Sequence, residues 1–204
     1  MIYNIYLNIF IRVLILNVYN LIGPIGSGKS EAQKILEGFN HKCFCADSFV
    51  RNLYKKERVI SDIKKIFPKI IENNKINTHL LRELIFNDIS KMKKIERYIQ
   101  PLVFEEFGKI IEKNKKNEKI FFVIPIIENN KFINMHKTIY INADKIIRKK
   151  RLEKRNKYNL NIINRIVEYQ SSIDKYKFSS DYYIDNNTTL SNLKKNINEI
   201  LLSL

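Results

Sequence analysis

Three of the chain's five glycines fall within eight residues, Gly23-Pro24-Ile25-Gly26-Ser27-Gly28-Lys29-Ser30. The order fits G-x-x-x-x-G-K-[ST], a phosphate-binding loop. Such a loop turns several backbone N–H groups onto one anion, and glycine permits the curl because no Cβ obstructs it. A helix starting at the loop adds its own N–H groups and its dipole. Lys29 is expected to reach the β- and γ-phosphates as a movable charge, and the Ser30 hydroxyl to ligate Mg²⁺. The triphosphate contacts expected on this reading are Gly23, Ile25, Gly26, Ser27, Gly28, Lys29, Ser30 and Glu31. Pro24 has no N–H to offer, but it precedes the turn that wraps the phosphates.

Two further groups could act beside the loop. Asp47 follows "HKCFCA" (41–46), which reads as the next strand. Ligands of open α/β sheets sit beyond the carboxyl ends of strands, so Asp47 stands where a carboxylate could meet Mg²⁺ or an acceptor hydroxyl. An N-cap for the following "SFVRNLYKKE" is the structural alternative, and the two are compatible. Arg148, Arg151 and Arg155 recur at i, i+3 and i+7, one face of a helix. They read either as a solvated basic helix or as a lid that neutralises a phosphoryl group in transfer.

These residues need elements to hold them. "VLILNVYNLI" (13–22) is a continuous apolar run, as a strand buried on both faces should be. Behind the loop, "EAQKILEGF" places Ala32, Ile35, Leu36 and Phe39 at helical spacing, and Gly38 helps end that helix. Residues 48–116 read as mostly helical. Asn77 caps a segment with Leu80, Leu81, Leu84 and Ile85 on one face and Arg82 off it. Pro101 is expected to break the pattern, with "LVFEEFGKIIEKN" starting a new helix that has Pro101 in its first turn. "KIFFVIPII" (119–127), "KTIYIN" (137–142) and "SDYYIDNN" (180–187) complete five strands, and "LSNLKKNINEILLSL" is a closing amphipathic helix. The order predicts a three-layer α/β fold with a parallel sheet.

Composition sets the outer limits. At 204 residues the chain suits one domain, or one core with a small lid. The formal charge of +16 would suit a polyanion partner. No nucleic-acid-binding motif accompanies it, and Lys, Asn, Ile, Tyr and Phe, the residues of AT-rich codons, crowd the chain. The excess charge is therefore read as drift on solvated helix faces such as "KNKKNEK" (113–119), with no specific nucleic-acid partner expected. Cys43 and Cys45 are expected on opposite faces of a strand, as reduced thiols that share no metal. The first 22 residues are apolar enough to approach a bilayer span. Asn4, Asn8, Arg12, Asn17 and Asn20 interrupt them, so residues 1–16 are read as an extra segment leading into the first strand and no membrane partner is expected, with a membrane anchor or organelle signal as the alternative.

From about Leu21 onward the chain resembles the dephospho-coenzyme A kinases, a P-loop kinase family. "IGPIGSGKS" resembles that family's "TGGIGSGKS", and "CADSFVR" its "DADxxxR", with Asp47 on the second Asp. "LLRELIF" resembles "LRxxIF", "IQPLVFEE" resembles "HPLIxxE", and "VIPIIE" resembles "xxPLLFE". "RLEKRN" resembles the lid's "RLxxRD", and "SDYYIDNN" resembles "ADxVIDN". The resemblance implies transfer of the ATP γ-phosphoryl to the ribose 3′-hydroxyl of dephospho-CoA in the cytoplasm, with Mg²⁺. It implies Asp47 as the base and Lys29 and Arg151 as catalytic partners. Arg82, Asp47 and Arg51 fall on the acceptor side, and Arg151 and Arg155 over ATP. It also implies a P-loop kinase domain over 17–204, with a helical acceptor-binding insert at about 48–116 and a lid at about 144–160. The chain departs from the family pattern at Cys45, Glu31, Gln100 and Asn156, and in the register of Glu128. Two other classes share features with it: another small P-loop kinase, acting on a nucleoside monophosphate or shikimate, and a non-catalytic basic binding protein keeping the loop as a relic.

Overall fold

A computed structural model describes residues 17–114, 118–126, 132–155 and 159–204. Residues 1–16, Glu128 and Asn156 lie outside the described residues, and so do the readings placed on them. The described residues divide into two compact units, one of those within 17–45 and 109–204 and one of Ala46–Gly108.

The first unit is built on five parallel strands in the order β2-β5-β1-β6-β7. They are β1 (Val18–Gly23), β2 (Lys42–Cys45), β5 (Ile120–Pro125), β6 (Lys137–Asn142) and β7 (Tyr182–Asp185). β1 lies between β5 and β6, in register Leu21↔Val123 and Leu21↔Ile139, and all six of its residues are buried. That explains its mainly apolar run, in which the buried Asn20 is the exception. Successive residues of a strand face opposite ways. Tyr19, Leu21, Phe121, Val123, Ile139, Ile141 and Ile184 point to one side, where they meet Ala32 and Leu36 of α1 (Lys29–Gly38). Leu193 and Ile197 of α8 (Leu190–Ser203) close the same layer. On the other side Phe122 meets the edge of the Phe132 ring, and the Asn20 amide donates to the Ile133 carbonyl at 3.2 Å. Helices on both faces of a parallel sheet make the three-layer α/β architecture the sequence predicted.

Cys43 and Cys45 correct one expectation. Both pack against the same cluster of the first layer, because residues two apart on a strand share a face. Burial, with Glu37 adding to it, pushes the Cys43 thiol up to about 12.

The first unit also contains a helical hairpin, α6 (Lys145–Glu153) and α7 (Leu160–Ile173), packed through Leu152, Ile163 and Val167. Its second helix was not anticipated. Yet Asn159 caps it by accepting from the Ile162 N–H at 2.9 Å, and Ile162, Ile163, Ile166 and Val167 form a buried stripe.

The second unit holds α2 (Ala46–Leu53), α3 (Glu57–Ile66), a short hairpin β3 (Ile71–Glu72) and β4 (Lys75–Ile76), then α4 (Thr78–Asn87) and most of α5 (Ile89–Lys113). Asn77 caps α4 as predicted, accepting from the His79 and Leu80 N–H groups. Two expectations fail. The hairpin interrupts the helical stretch, turning on Asn73 and Asn74 at φ 48° and 55°, the left-handed pair a two-residue turn requires. Nor does Pro101 end a helix: α5 runs through it for 25 residues. Met92, Ile95, Ile99, Val103 and Phe107 form one buried stripe across the proline. Burying each such side chain is worth about 1.5–3 kcal/mol, enough together to outweigh the ~3 kcal/mol of an interior proline. No helix among the described residues is long and apolar enough to cross a membrane.

Candidate active site

The loop leaves β1 at Gly23 and enters α1 at Lys29. Its two inner glycines are where the backbone turns left-handed, Gly26 at φ 78° and Gly28 at φ 108°. Neither has room for a side chain. A Cβ on Gly26 would lie 3.0 Å from the Arg148 carbonyl oxygen, and one on Gly28 would collide with the Asn186 amide nitrogen. Ser27 is fully buried between them, and its Oγ has no hydrogen-bond partner among the described residues. Helix geometry turns the first amides of α1 out of the helix end, toward any anion the loop encloses. Lys29 folds back over the loop, its Nζ donating to the carbonyls of Gly23 at 2.6 Å and Pro24 at 3.1 Å. The Ser30 hydroxyl is carried on the exposed first turn. The Glu31 carboxylate pairs outward with Lys34 at 2.9 Å, so it does not oppose an anion in the loop.

Residues far along the chain clasp the same loop. The Ile25 N–H donates to Gln170 Oε1 of α7 at 2.6 Å. The buried Asn186 amide, just past β7, donates to the Ser27 carbonyl at 2.7 Å. Arg151 of α6 donates to the Gly26 and Ser27 carbonyls at 3.3 Å each, and to the Asn186 carbonyl at 2.8 Å. Burial first, and the charge of Arg155 second, bring the Arg151 pKa below its ordinary value.

Sequence reasoning missed Gln170 and Asn186. Asn186 was visible only as the last letter of "YIDN", and Gln170 only as a polar residue among the apolar ones of α7. The predicted arginine face also divides. Arg148 is buried, at 3% exposure, Arg151 lies on the loop, and Arg155 is exposed beyond the end of α6. The helix stops at Glu153, so the i+7 position has no helix to stand on.

Asp47, Arg51 and Arg82 belong to the helical unit. α2 begins at Ala46, immediately after β2, so Asp47 is an exposed residue of its first turn and not its cap. Arg51 donates to Ser48 Oγ at 2.9 Å on the same helix. Arg82 is exposed on α4, off the apolar stripe as predicted. Asp47 and Arg82 both bear on Tyr54. Its hydroxyl is pushed up to about 12 by burial, with Arg82 opposing the rise and Asp47 adding to it. Tyr54 therefore lies within electrostatic reach of both Asp47 and Arg82, and it is a residue that sequence reasoning did not name.

A parallel sheet with a glycine nest at the end of its central strand fits many nucleotide-binding proteins. The family model for dephospho-CoA kinase (CoaE) matches residues 17–192, most of the chain. The chain belongs to the dephospho-CoA kinase family. Among characterised relatives, the dephospho-CoA kinase of Helicobacter pylori (strain ATCC 700392 / 26695) is 29% identical over 192 residues, covering 92% of this chain and 97% of the relative. That of Rickettsia typhi is 28% identical over 187 residues, covering 90% and 95%. Of solved structures, TT1252 from Thermus thermophilus superposes with a TM-score of 0.75 at 19% identity, covering 93% of this chain and 98% of that one. Dephospho-CoA kinase from Campylobacter jejuni follows at 0.65 and 22%, covering 92% and 96%. These two show the shared fold, whereas the family match extends to activity. The chain is an ATP-dependent phosphotransferase of the dephospho-CoA kinase type.

Proposed function

We propose that the chain transfers the γ-phosphoryl group of Mg-ATP to the ribose 3′-hydroxyl of dephospho-CoA, in the cytoplasm, with the loop 23–30 as the triphosphate site. The supporting observation is the nest itself, left-handed at Gly26 and Gly28 and running straight into α1 at Lys29.

Phosphoryl transfer asks for alignment and charge neutralisation more than for covalent chemistry. Amides from Gly26 to Glu31 bind the β- and γ-phosphates. Lys29 leaves the Gly23 and Pro24 carbonyls for phosphate oxygens, and Arg151 exchanges loop carbonyls for the charge that develops on the moving group. Ser30 supplies a hard oxygen donor on an exposed turn, which suits Mg²⁺ arriving on the nucleotide, an ion usually held by few protein ligands together with phosphates and water. When bound, that ion neutralises charge shared by the β- and γ-oxygens.

The unit Ala46–Gly108 serves as the acceptor-binding part. There Asp47 orients the acceptor hydroxyl and takes its proton, while Arg82 and Arg51 offer guanidinium groups to the anionic groups of dephospho-CoA. α6 and the segment carrying Arg155 act as the lid, which excludes water as a competing acceptor.

The test is incubation with Mg-ATP and dephospho-CoA, scoring 3′-phosphorylated product by mass, beside AMP, UMP and shikimate. Product from dephospho-CoA alone is expected. Turnover of only the other three would overturn the acceptor. No turnover at all, with salt-dependent RNA binding, would indicate a basic binding protein.

A further inference from the structure

We propose that Arg148 is a positioning residue for the phosphate loop, a buried cation that fixes α6 against α7 and thereby sets the tip of the loop for ATP. The inference rests on the loop being the ATP site.

The helix that carries Arg148 is otherwise strongly basic and largely solvated, with Lys145 and Lys150 exposed. Arg148 alone among its cations is fully inside, at 3% exposure. A buried charge costs several kcal/mol unless its surroundings compensate it. Two neighbouring elements answer it in part, and burial still holds the guanidinium below its ordinary range. Its Nη2 donates to Ser171 Oγ of α7 at 3.1 Å, and Ser171 Oγ in turn donates to the Val167 carbonyl at 2.8 Å. Against the larger effect of burial, Tyr140 and then Asp174, which ends α7, favour its charge, with Glu168 and Asp144 adding to the same field. Asp174 is itself held in place, because the Tyr140 hydroxyl of β6 donates to its carboxylate. Tyr140 is fixed in turn by stacking on Tyr183 of β7, ring centroids 5.7 Å apart. The Nε and Nη1 of Arg148 and the Oδ1 of Asp174 have no hydrogen-bond partner among the described residues. Among the described residues, Arg148 and Asp174 therefore share an electrostatic field without a hydrogen bond between them.

The consequence reaches the loop by two short paths. The backbone and Cβ of Arg148 lie against Gly26, the contacts that leave no room for a side chain there. Ser171, which Arg148 engages, is the residue after Gln170, whose Oε1 takes the Ile25 N–H. One turn along α6, Arg151 holds the Gly26 and Ser27 carbonyls. If α6 shifts relative to α7, the loop's tip loses its register on both sides. Arg148 touches no substrate in this account. It acts through Gly26, Gln170 and Arg151.

A positioning role predicts a selective kinetic change. Arg148→Met, which keeps the apolar stem and removes the charge, is expected to raise the KM and Kd for ATP about tenfold, the effect of ~1.4 kcal/mol. The KM for dephospho-CoA should stay within twofold. Asp174→Asn is expected to move ATP affinity the same way. The double variant should be no worse than Arg148→Met, because the two groups act as one unit. Tyr140→Phe removes one hydroxyl from the packed site and serves where Arg148→Met does not fold. It should raise the ATP Kd two- to threefold. A merely structural role would lower the active fraction and leave every KM unchanged. An ATP Kd at the wild-type value in Arg148→Met, or in Tyr140→Phe where the former is insoluble, would overturn the inference, as would effects of Arg148→Met and Asp174→Asn that simply add. ATP binding to the wild-type chain is measured first. Its absence would sink the ATP-site reading and this inference together, whereas normal wild-type binding with unaffected variants would sink this inference alone.

Discussion

The sheet unit and the helical unit hold their chemistry in different materials. In the sheet unit it is backbone: left-handed Gly26 and Gly28, the first amides of α1, and loop carbonyls occupied by Arg151 and Asn186. In the helical unit it is side chains, with Asp47, Arg51 and Arg82 exposed on helices whose buried residues do only packing. A backbone nest tolerates few sequences, because each position must satisfy a particular φ and leave room for its neighbours. An exposed carboxylate on a helix constrains nothing around it. The first kind of site therefore writes one contiguous motif, whereas the second is scattered over separate stretches such as "CADSFVR" and "LLRELIF".

That contrast can be broken or sharpened by experiment. The largest effect is expected at Lys29, where Lys29→Ala should lower kcat/KM by about 10³-fold, a far larger change than in thermal stability, since its Nζ reaches the loop carbonyls of Gly23 and Pro24. Turnover near normal would mean that the nest needs no mobile charge. Next, Asp47→Asn should reduce kcat by about 10²–10³-fold while ATP binds as before. An Asp47→Asn enzyme with ordinary kcat would remove the carboxylate from the role of base, and with it the chemical weight placed on the helical unit.

Smaller consequences follow from backbone strain and burial. Gly28→Ala should cost about 1–3 kcal/mol, because it strains φ 108° and drives Asn186 off the Ser27 carbonyl. The loss should be visible in both melting temperature and ATP affinity. A variant as tight as wild type would show that the nest is more compliant than its geometry implies.

His136, close to Phe132 at a ring-centroid distance of 4.9 Å, titrates at about 4 because burial disfavours its charged form. The sign follows from proton uptake: below about pH 6.5 the unfolded chain binds a proton that the folded chain refuses. Stability from this group is therefore complete above pH 6.5 and declines as pH falls toward 4. His136→Leu should flatten that part of a melting-temperature profile, and an unchanged slope would assign it elsewhere. The smallest effect is expected in the helical unit, where Asn77→Ala removes the cap of α4 at about 1 kcal/mol, read by denaturant unfolding with kcat unaltered.

Much of this was legible before any coordinates, and the exceptions share a cause. The strand, loop and helix around Gly23–Ser30 were readable because each local preference agreed with the others. Pro101 misled because helix propensity is local, while the apolar stripe from Met92 to Phe107 is a tertiary fact. The hairpin at Asn73-Asn74 carried a recognisable turn pair, hidden inside a stretch otherwise rich in helical spacing. α7 was passed over because its cap, Asn159, sits in a run of Lys and Asn that looks like solvated loop. Asp47 lay one residue deeper in its helix than a cap would, since α2 begins without any loop after β2.

By itself the sequence determined the five-stranded parallel sheet and the glycine-rich loop that leaves its first strand. These depend on periodicity and on glycine's freedom, both properties of neighbours in the chain. Only the tertiary structure decided that Arg148 is buried while Arg155 is exposed, that Arg151 rests on loop carbonyls, and that Gln170 and Asn186 hold the loop's backbone. Those outcomes join residues more than a hundred positions apart. Which polar group then meets which is settled by packing and by the cost of leaving a buried donor or charge unanswered, and no local pattern encodes either.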